Sequence, residues 1–368
     1  MKITTTKEEL LPALLQVGSI VERRQTLPIL ANLLVRVKQG TMTLMATDLE
    51  LEVKTQVEVE AGEDGEFTLP ARKVIDICKA LSDGTSLTLE VEGDKAVLRS
   101  GRGRYRLSTL PAADYPSMEI AAATQHLTIP QALLKRLLEK TAFAMAQQDV
   151  RYYLNGMFFE GRPGKLRTVA TDGHRLALCD ASLENPDDLD VQAIVPRKAV
   201  LELNRLLEGK GEAPPVELQF SSGFLKVVFP NGSFATKLID GRYPDYAKVI
   251  PTANTNDLVA DRESLRQALS RTAILSNEKF RGVRFMTAPG LLNLMAHNPE
   301  HEEAEEELEV EYGGEEMTVG FNVGYLLDVL GVLEDERVRF GLIDPSSSCV
   351  ITPENPDGCK YVVMPMRI

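Results

Sequence analysis

The chain contains no tryptophan, only four histidines and four cysteines, and aromatic residues make up 6% of its 368 positions. No apolar run approaches the ~18–20 residues that a membrane-spanning helix needs, which excludes that class of span. The N-terminal stretch Met1-Lys-Ile-Thr-Thr-Thr-Lys-Glu-Glu-Leu-Leu has no apolar core segment and predicts no secretory leader. Cys78, Cys179, Cys349 and Cys359 show no CxxC pair and no zinc-ligand spacing. They are expected to be reduced, partly buried thiols in a cytosolic protein. P-loop, HExxH and GxSxG motifs are also missing, so the commonest nucleotide, zinc-protease and serine-hydrolase sites are excluded.

Positive charge is in deficit as well. Against 54 acidic residues stand 41 basic ones, a net of −13. Taken whole, that balance argues against a nucleic-acid binder, whose footprint is usually basic. What is present is an ordinary globular composition, 43% hydrophobic and 26% charged. It is too apolar for wholesale disorder and long enough for two or three domains.

Internal repetition organises the chain. Phe67-Thr-Leu-Pro-Ala-Arg-Lys-Val-Ile, Ala193-Ile-Val-Pro-Arg-Lys-Ala-Val-Leu and Thr318-Val-Gly-Phe-Asn-Val-Gly-Tyr-Leu share a strand, a break and a helix. Their breakers, Pro70, Pro196 and Asn322, are 126 residues apart each time. Leu44-Met-Ala-Thr-Asp, Thr168-Val-Ala-Thr-Asp and, more weakly, Leu294-Met-Ala-His-Asn recur in the same order. Tyr115-Pro116 is echoed by Tyr243-Pro244. Three domains are expected, 1–124, 125–253 and 254–368, with small polar junctions between them. Helical periodicity predicts first helices near 7–20, 131–146 and 262–275, and second helices near 72–81, 197–208 and 323–333. Alternation predicts strands such as 87–91, 216–220 and 308–312. The expected class is α+β with antiparallel sheets, built three times.

Divided by repeat, the charge is uneven. The three segments carry −3, +1 and −11, and ten glutamates lie within 300–316. Basic residues recur on equivalent helices: Arg72 and Lys79 in one, Lys198 and Arg205 in the next, each pair seven apart on one face. Arg99, Arg102, Arg104 and Arg106 form a basic edge in the first repeat. Glu300, Glu302, Glu303, Glu305 and Glu306 form an acidic segment in the third.

Longer motifs carry a resemblance. Thr26-Leu-Pro-Ile-Leu, Ser108-Thr-Leu-Pro-Ala-Ala-Asp, Gln148-Asp-Val-Arg-Tyr-Tyr-Leu-Asn-Gly-Met, Ala170-Thr-Asp-Gly-His-Arg-Leu, Ile274-Leu-Ser-Asn-Glu-Lys-Phe-Arg-Gly-Val and Tyr361-Val-Val-Met-Pro-Met-Arg stand in this order. From end to end the chain resembles the bacterial DNA polymerase III beta subunits, the DNA sliding clamps. The resemblance implies three DNA-clamp domains per chain, two helices each, closed head to tail into a dimeric ring of six domains with helices lining the hole. It implies duplex DNA without sequence specificity as a partner, no cofactor, no metal and no intrinsic catalysis. The implied DNA contacts are Arg24, Arg72, Gln148, Tyr152, Tyr153, Arg197 and Lys198. Such contacts reach phosphates and not base edges, which permits sliding.

The same resemblance implies a dimer interface in which Lys73, Arg102 and Arg104 face Glu300, Glu302, Glu303, Glu305 and Glu306, with Tyr105, Leu107, Ile274 and Leu275 as its apolar part. It also implies a cleft for short peptide motifs of the replicative polymerase, clamp loader, translesion polymerases and repair proteins. The matching positions are Leu154, Thr171, Gly173, His174, Arg175, Leu176, Pro244, Lys248, Val249, Phe280, Asn322, Tyr325, Ser346 and Ser348. The tail Val362, Val363, Met364, Pro365, Met366, Arg367 and Ile368 completes it, and its methionines suit a groove that accepts several partners. Lys248 stands where an Arg is familiar, the stretch 345–348 is more polar than usual, and Ile368 replaces a Leu. The net acidity is then compatible with a basic hole, because net charge says little about one local face.

Two other classes find little support in the residues. Asp172 and His174 supply an acid and a base, but an extended chain points them apart and no nucleophile accompanies them. His126, His297 and His301 show no sequence partner. A glutamate-only run is poor ground for a metal site. A ring-shaped scaffold without a DNA role is opposed by the basic helix set.

Overall fold

A computed structural model of the chain describes residues 1–21, 27–61, 63–184, 189–252 and 256–367. Arg24 and Ile368 lie outside the described residues. Six α-helices are found among those described: α1 (Lys7–Gly18), α2 (Ala71–Ala80), α3 (Gln131–Thr141), α4 (Arg197–Leu206), α5 (Arg262–Thr272) and α6 (Val323–Val332). Two fall in each repeat, and α2, α4 and α6 begin 126 residues apart.

Local chemistry explains the helix starts. At α1 the Thr6 hydroxyl accepts the Glu9 N–H, and the Glu9 carboxylate accepts the Thr6 N–H at 3.1 Å, a reciprocal cap. Leu10, Ala13, Leu14 and Val17 then form its buried stripe. Asp261 caps α5 by accepting the Ser264 N–H at 2.7 Å. The repeated breaker caps the second helices: Asn322 accepts the N–H groups of Gly324 and Tyr325 at the start of α6, and Pro70 precedes α2. The first helices end sooner than their periodicity predicts. After Thr141 and Thr272 the chain tightens into 3₁₀ turns, Ala142–Ala144 and Ala273–Leu275.

Among the described residues, four antiparallel sheets complete the fold. One runs Glu60–Ala61, Lys2–Thr6, Ser86–Glu92, Lys95–Ser100, Gly103–Ser108. A second, eight-stranded sheet joins strands of the first and second repeats where Leu51–Glu58 pairs with Gly232–Lys237. A third, also eight-stranded, joins the second and third where Arg175–Ser182 pairs with Cys359–Val363. The fourth runs Glu303–Glu309, Leu291–His297, Gly282–Ala288, Met317–Asn322. Packing accordingly divides the chain into two compact units that cut the middle repeat: Met1–Ala132 with Leu201–Leu238, and Leu133–Val200 with Ile239–Ile368.

Three expectations are corrected. The strand near 308–312 is instead Glu303–Glu309, so the glutamate run is itself a strand. Its exposed glutamates alternate with half-buried Ala304, Glu306 and Leu308, the period-two pattern of an edge. The four thiols are not all reduced. Cys179 and Cys359 oppose one another across the strand pair and form a disulfide, while Cys78 and Cys349 are free and buried. Their 180-residue separation hides that pairing from any local motif. His126 is not without a partner either, since its Nδ1 lies 2.8 Å from Glu217. Denatured protein without reductant should show two reactive thiols per chain, and four after reduction; four in both conditions would contradict the pairing.

Candidate functional site

One face of the Arg175–Ser182 and Cys359–Val363 pair is apolar where Leu176 opposes Val362, both buried. Residues 239–250 cross this face as a strap. The Ile239 N–H donates to the Ile194 carbonyl at 2.9 Å, and the Tyr243 ring stacks on Phe158 at 4.9 Å. Beyond Tyr243 the strap lifts into the 3₁₀ turn Tyr246–Val249. A cavity of about 190 Å³ opens beside it, with Leu176 and Val362 on one side, Pro244 and Val249 on the other, and Leu154 and Met364 among its walls. It is mostly apolar with a few polar groups, the usual composition of a recognition cleft.

The turn at one end is rigid. The Asp172 carboxylate accepts the N–H groups of His174 and Arg175 at 2.9 and 3.0 Å, and Thr171 Oγ1 donates to the Arg175 carbonyl at 2.6 Å. Gly173 has φ +90°, and a Cβ there would lie 2.8 Å from the Arg151 guanidinium. The turn therefore requires glycine. Asp172 and His174 form no acid–base dyad, because the carboxylate is already engaged by backbone and by Arg175 Nε at 3.1 Å.

Arg175 supports the cleft as a half-buried hub. It donates to the Phe143 carbonyl at 2.8 Å, pairs with Asp328, and lies 4.5 Å from the centroid of Tyr325. The tail is tied down: Met364 N–H donates to the His174 carbonyl at 3.0 Å and Met366 N–H to that of Gly320 at 2.8 Å. Phe280, Met366 and Arg367 line a second cavity of about 380 Å³ with Asn277, His297 and Pro299. Asn322 is used as a helix cap, although its amide also donates to the Phe280 carbonyl at 3.3 Å. Lys248 is exposed and pairs with Asp245 at 3.0 Å. Ser346 is bound to Asp344, and neither it nor Ser348 lines the two cavities. Sequence reasoning missed Arg151, Asp245 and Tyr246 as cleft residues and grouped Tyr153 with the DNA contacts, whereas Tyr153 lines the first cavity.

The other DNA-assigned residues divide by unit. Gln148 and Tyr152 stand on an exposed loop, with Tyr152 edge-on to Tyr153 at 5.8 Å. Asn155 knits that loop by exchanging two 2.9 Å hydrogen bonds with Asp149. Arg197 flanks it: its N–H donates to the Asn155 carbonyl at 2.9 Å and its guanidinium to that of Met145 at 3.3 Å. Lys198 follows, exposed, in the first turn of α4. Arg72, in the other unit, opens α2 and donates to the Val21 carbonyl at 3.3 Å, with exposed Lys73 beside it.

Two sheet edges carry opposite charge. On Gly103–Ser108, Arg104 and Arg106 are exposed while Tyr105 is half-buried and Leu107 buried, and Arg102 stands in the preceding turn. On Glu303–Glu309, Glu303, Glu305, Glu307 and Glu309 are exposed, and Glu300 and Glu302 precede them. Glu306 faces α5 instead, held below the ordinary carboxylate range by hydrogen bonds from Arg271 at 2.6 and 2.7 Å. Ile274 is 77% exposed and Leu275 half-buried on the turn after α5. Among the described residues no His, Cys, Asp or Glu cluster is placed to hold a metal, and no helix is long and apolar enough to cross a membrane.

A thrice-repeated α+β module with antiparallel sheets, an apolar cleft and basic residues opening two of its helices has the architecture of the DNA clamps. Comparison with known proteins agrees. Family models for the N-terminal, central and C-terminal domains of the DNA polymerase III beta subunit match residues 1–119, 128–245 and 247–367. The beta sliding clamps of Pseudomonas aeruginosa and Escherichia coli K12 are each 49% identical over 370 residues, covering all of both chains. A solved P. aeruginosa sliding clamp, bound to griselimycin, has a TM-score of 0.97 at 49% identity, and a Caulobacter crescentus pol III beta has 0.93 at 37%; each comparison covers both chains completely. The chain belongs to the DNA polymerase III beta-subunit family, the beta sliding clamps, and is a processivity accessory subunit with no catalysis of its own.

The exposed loop has a pH signature. Hydrogen bonds from the Arg151 side chain and backbone push the Asp149 carboxyl down to about 2 from its ordinary 3.8. A depressed carboxylate stabilises the fold above its ordinary value, and that contribution is lost as pH falls toward 2. A carboxyl-carbon NMR titration should place Asp149 near 2 in the parent and move it toward 3.8 in Arg151→Gln. A parent midpoint already at 3.8 would contradict the pairing.

Proposed function

We propose that two copies of this chain close head to tail into a ring that encircles duplex DNA without sequence specificity. The domains are 1–124, 125–253 and 254–368. Arg24, Arg72, Gln148, Tyr152, Arg197 and Lys198 meet the phosphate backbone, with Tyr153 shared between DNA and the cleft. The observation that carries this reading is the recurrence of a basic residue, Arg72 and then Lys198, at the second position of a repeated helix, with Arg197 beside the latter. The third repeat departs from it, with Val323-Gly324 in that place. Phosphate contacts of this kind weaken with salt and leave the ring free to move along the duplex. Retention then comes from topology.

The ring closes where the arginine edge of Gly103–Ser108 meets the glutamate edge of Glu303–Glu309 in a second copy. Lys73 joins the basic side, and Tyr105, Leu107, Ile274 and Leu275 supply apolar contact. Exposed ion pairs contribute only about 0.2–1 kcal/mol each, so charge sets register and apolar burial sets affinity. The cleft at Leu176 and Val362 takes short apolar peptide motifs of the replicative polymerase subunit, the clamp loader, translesion polymerases and repair proteins. The protein works in the cytoplasm with DNA and needs no cofactor.

The protein loaded onto nicked circular DNA should stay bound, then leave rapidly once the circle is linearised. Equal loss from circles and linear duplex would sink the encirclement reading. Removing residues 364–368 should abolish peptide binding with the DNA retention intact, and normal peptide affinity in that truncation would refute the cleft.

A further inference from the structure

The wall of the cleft beyond Tyr243, where the strap turns through Tyr246–Val249, is held less firmly than the anchored stretch before it. The strap's first residue is tied to the sheet by the Ile239 N–H bond to Ile194, but the 3₁₀ segment that faces the cavity contributes long turn bonds, Lys248 N–H to Asp245 and Ile250 N–H to Ala247, both 3.3 Å. One side chain of this wall is pinned from behind. Tyr246 presents its half-buried ring to the cavity, near Phe158 at 6.3 Å, and sends its hydroxyl away from it. That hydroxyl donates to Glu160 Oε2 at 2.5 Å and accepts from Arg167 Nη1 at 3.1 Å.

The two partners belong to a row. Glu160 is the register partner of Arg167, and Arg167 is the register partner of Asp180, on three neighbouring strands of one sheet. Arg167 grips Asp180 through two bonds, 2.6 and 2.9 Å, and Lys165 adds a third contact to Asp180 at 2.6 Å. Burial alone would raise the Asp180 carboxyl, but these cations outweigh it and keep it low. The row is a fixed, charged platform at the back of an apolar cleft.

The first repeat offers an internal comparison. The positions in the same register there are Arg36, Thr43 and Gln56, which make no such row. Met118, three residues after Tyr115 as Tyr246 is three after Tyr243, replaces the pinned tyrosine. The platform accompanies the repeat that has the cleft.

We infer that Arg167 and Glu160 are positioning residues for peptide binding: through the Tyr246 hydroxyl they fix the strap at the spacing from the Leu176–Val362 floor that a partner side chain fills. Neither residue lines the cavity. The physical reason is that dispersion falls away over a gap of about 0.5–1 Å, so a loosened wall forfeits contact without losing any apolar atom. A prepositioned wall also spares the ordering cost of binding. This inference rests on the reading of the cleft as a peptide site.

The test uses the full-length protein, a fluorescein-labelled peptide carrying the polymerase's clamp-binding motif, and four variants. Tyr246→Phe and Arg167→Met should each weaken binding about 3–10-fold, the scale of one net hydrogen bond, through faster dissociation. The double variant should bind no worse than the weaker single, because both changes release the same pin. Arg167→Lys, which keeps a donor, should recover part of the affinity. DNA retention and thermal midpoint should follow the parent in Tyr246→Phe, which removes a single oxygen. Parental affinity in both single variants, or losses that multiply in the double, would overturn the inference. If the 364–368 truncation abolishes binding while Tyr246→Phe does not weaken it, positioning alone fails. If the truncation also binds normally, the cleft reading fails and takes the inference with it.

Discussion

An edge strand leaves a row of backbone N–H and C=O groups unpaired, and every sheet in this fold must dispose of two such edges. The repeats solve part of this by completing one another. Leu51–Glu58 finds its partner in Gly232–Lys237 of the next repeat, and Arg175–Ser182 finds its own in Cys359–Val363 of the third. Each joint makes a continuous eight-stranded sheet out of two shorter ones. The same constraint gives meaning to the edges left over. Gly103–Ser108 and Glu303–Glu309 end their sheets with charges of one sign, which repels a like edge and admits an opposite one.

The two joints are built alike but present different surfaces. In the second, Leu176 opposes Val362, and the strap with Tyr243 and Tyr246 leaves an apolar cavity above them. In the first, the corresponding cross-strand pair is Glu52 and Ala235. Glu52 is buried there, pairs with Lys54 at 2.6 Å, and accepts the Met118 N–H at 3.1 Å. A charged group satisfied by the chain's own backbone draws the local segment down onto the sheet, where an apolar pair would leave a surface wanting a partner. One repeated module thus gives a joint covered by its own segment in one place and an apolar candidate cleft in the other, with a glutamate in the first where a leucine stands in the second.

Much of this was legible in the residues. The 126-residue spacing of Pro70, Pro196 and Asn322 foretold three modules, because a cap must recur where a helix recurs. Division of the charge by repeat exposed two segments of opposite sign that an average of −13 conceals. What the sequence hid depends on pairing between distant strands. Cys179 and Cys359 meet only because the C-terminal strand docks on the second repeat. Glu306 turned out to serve Arg271 within the chain, which follows from the parity of an edge strand once its limits are known. Tyr246 carries no local signal at all, since its role comes from Glu160 and Arg167 on strands far away in sequence. Tyr153 and its neighbour Tyr152 differ in exposure for the same reason, as adjacent residues in a turn face different surroundings.

The proposed ring ties these features together, for it gives the two charged edges a common purpose and turns three modules into a half of six. It requires that the edge of one chain be closed by the edge of another. Solution mass tests that most directly. Analytical ultracentrifugation at low and moderate salt should give a species of about 81 kDa, twice the 40.6 kDa chain, and a stable 40.6 kDa monomer at every salt concentration and at micromolar protein would contradict it.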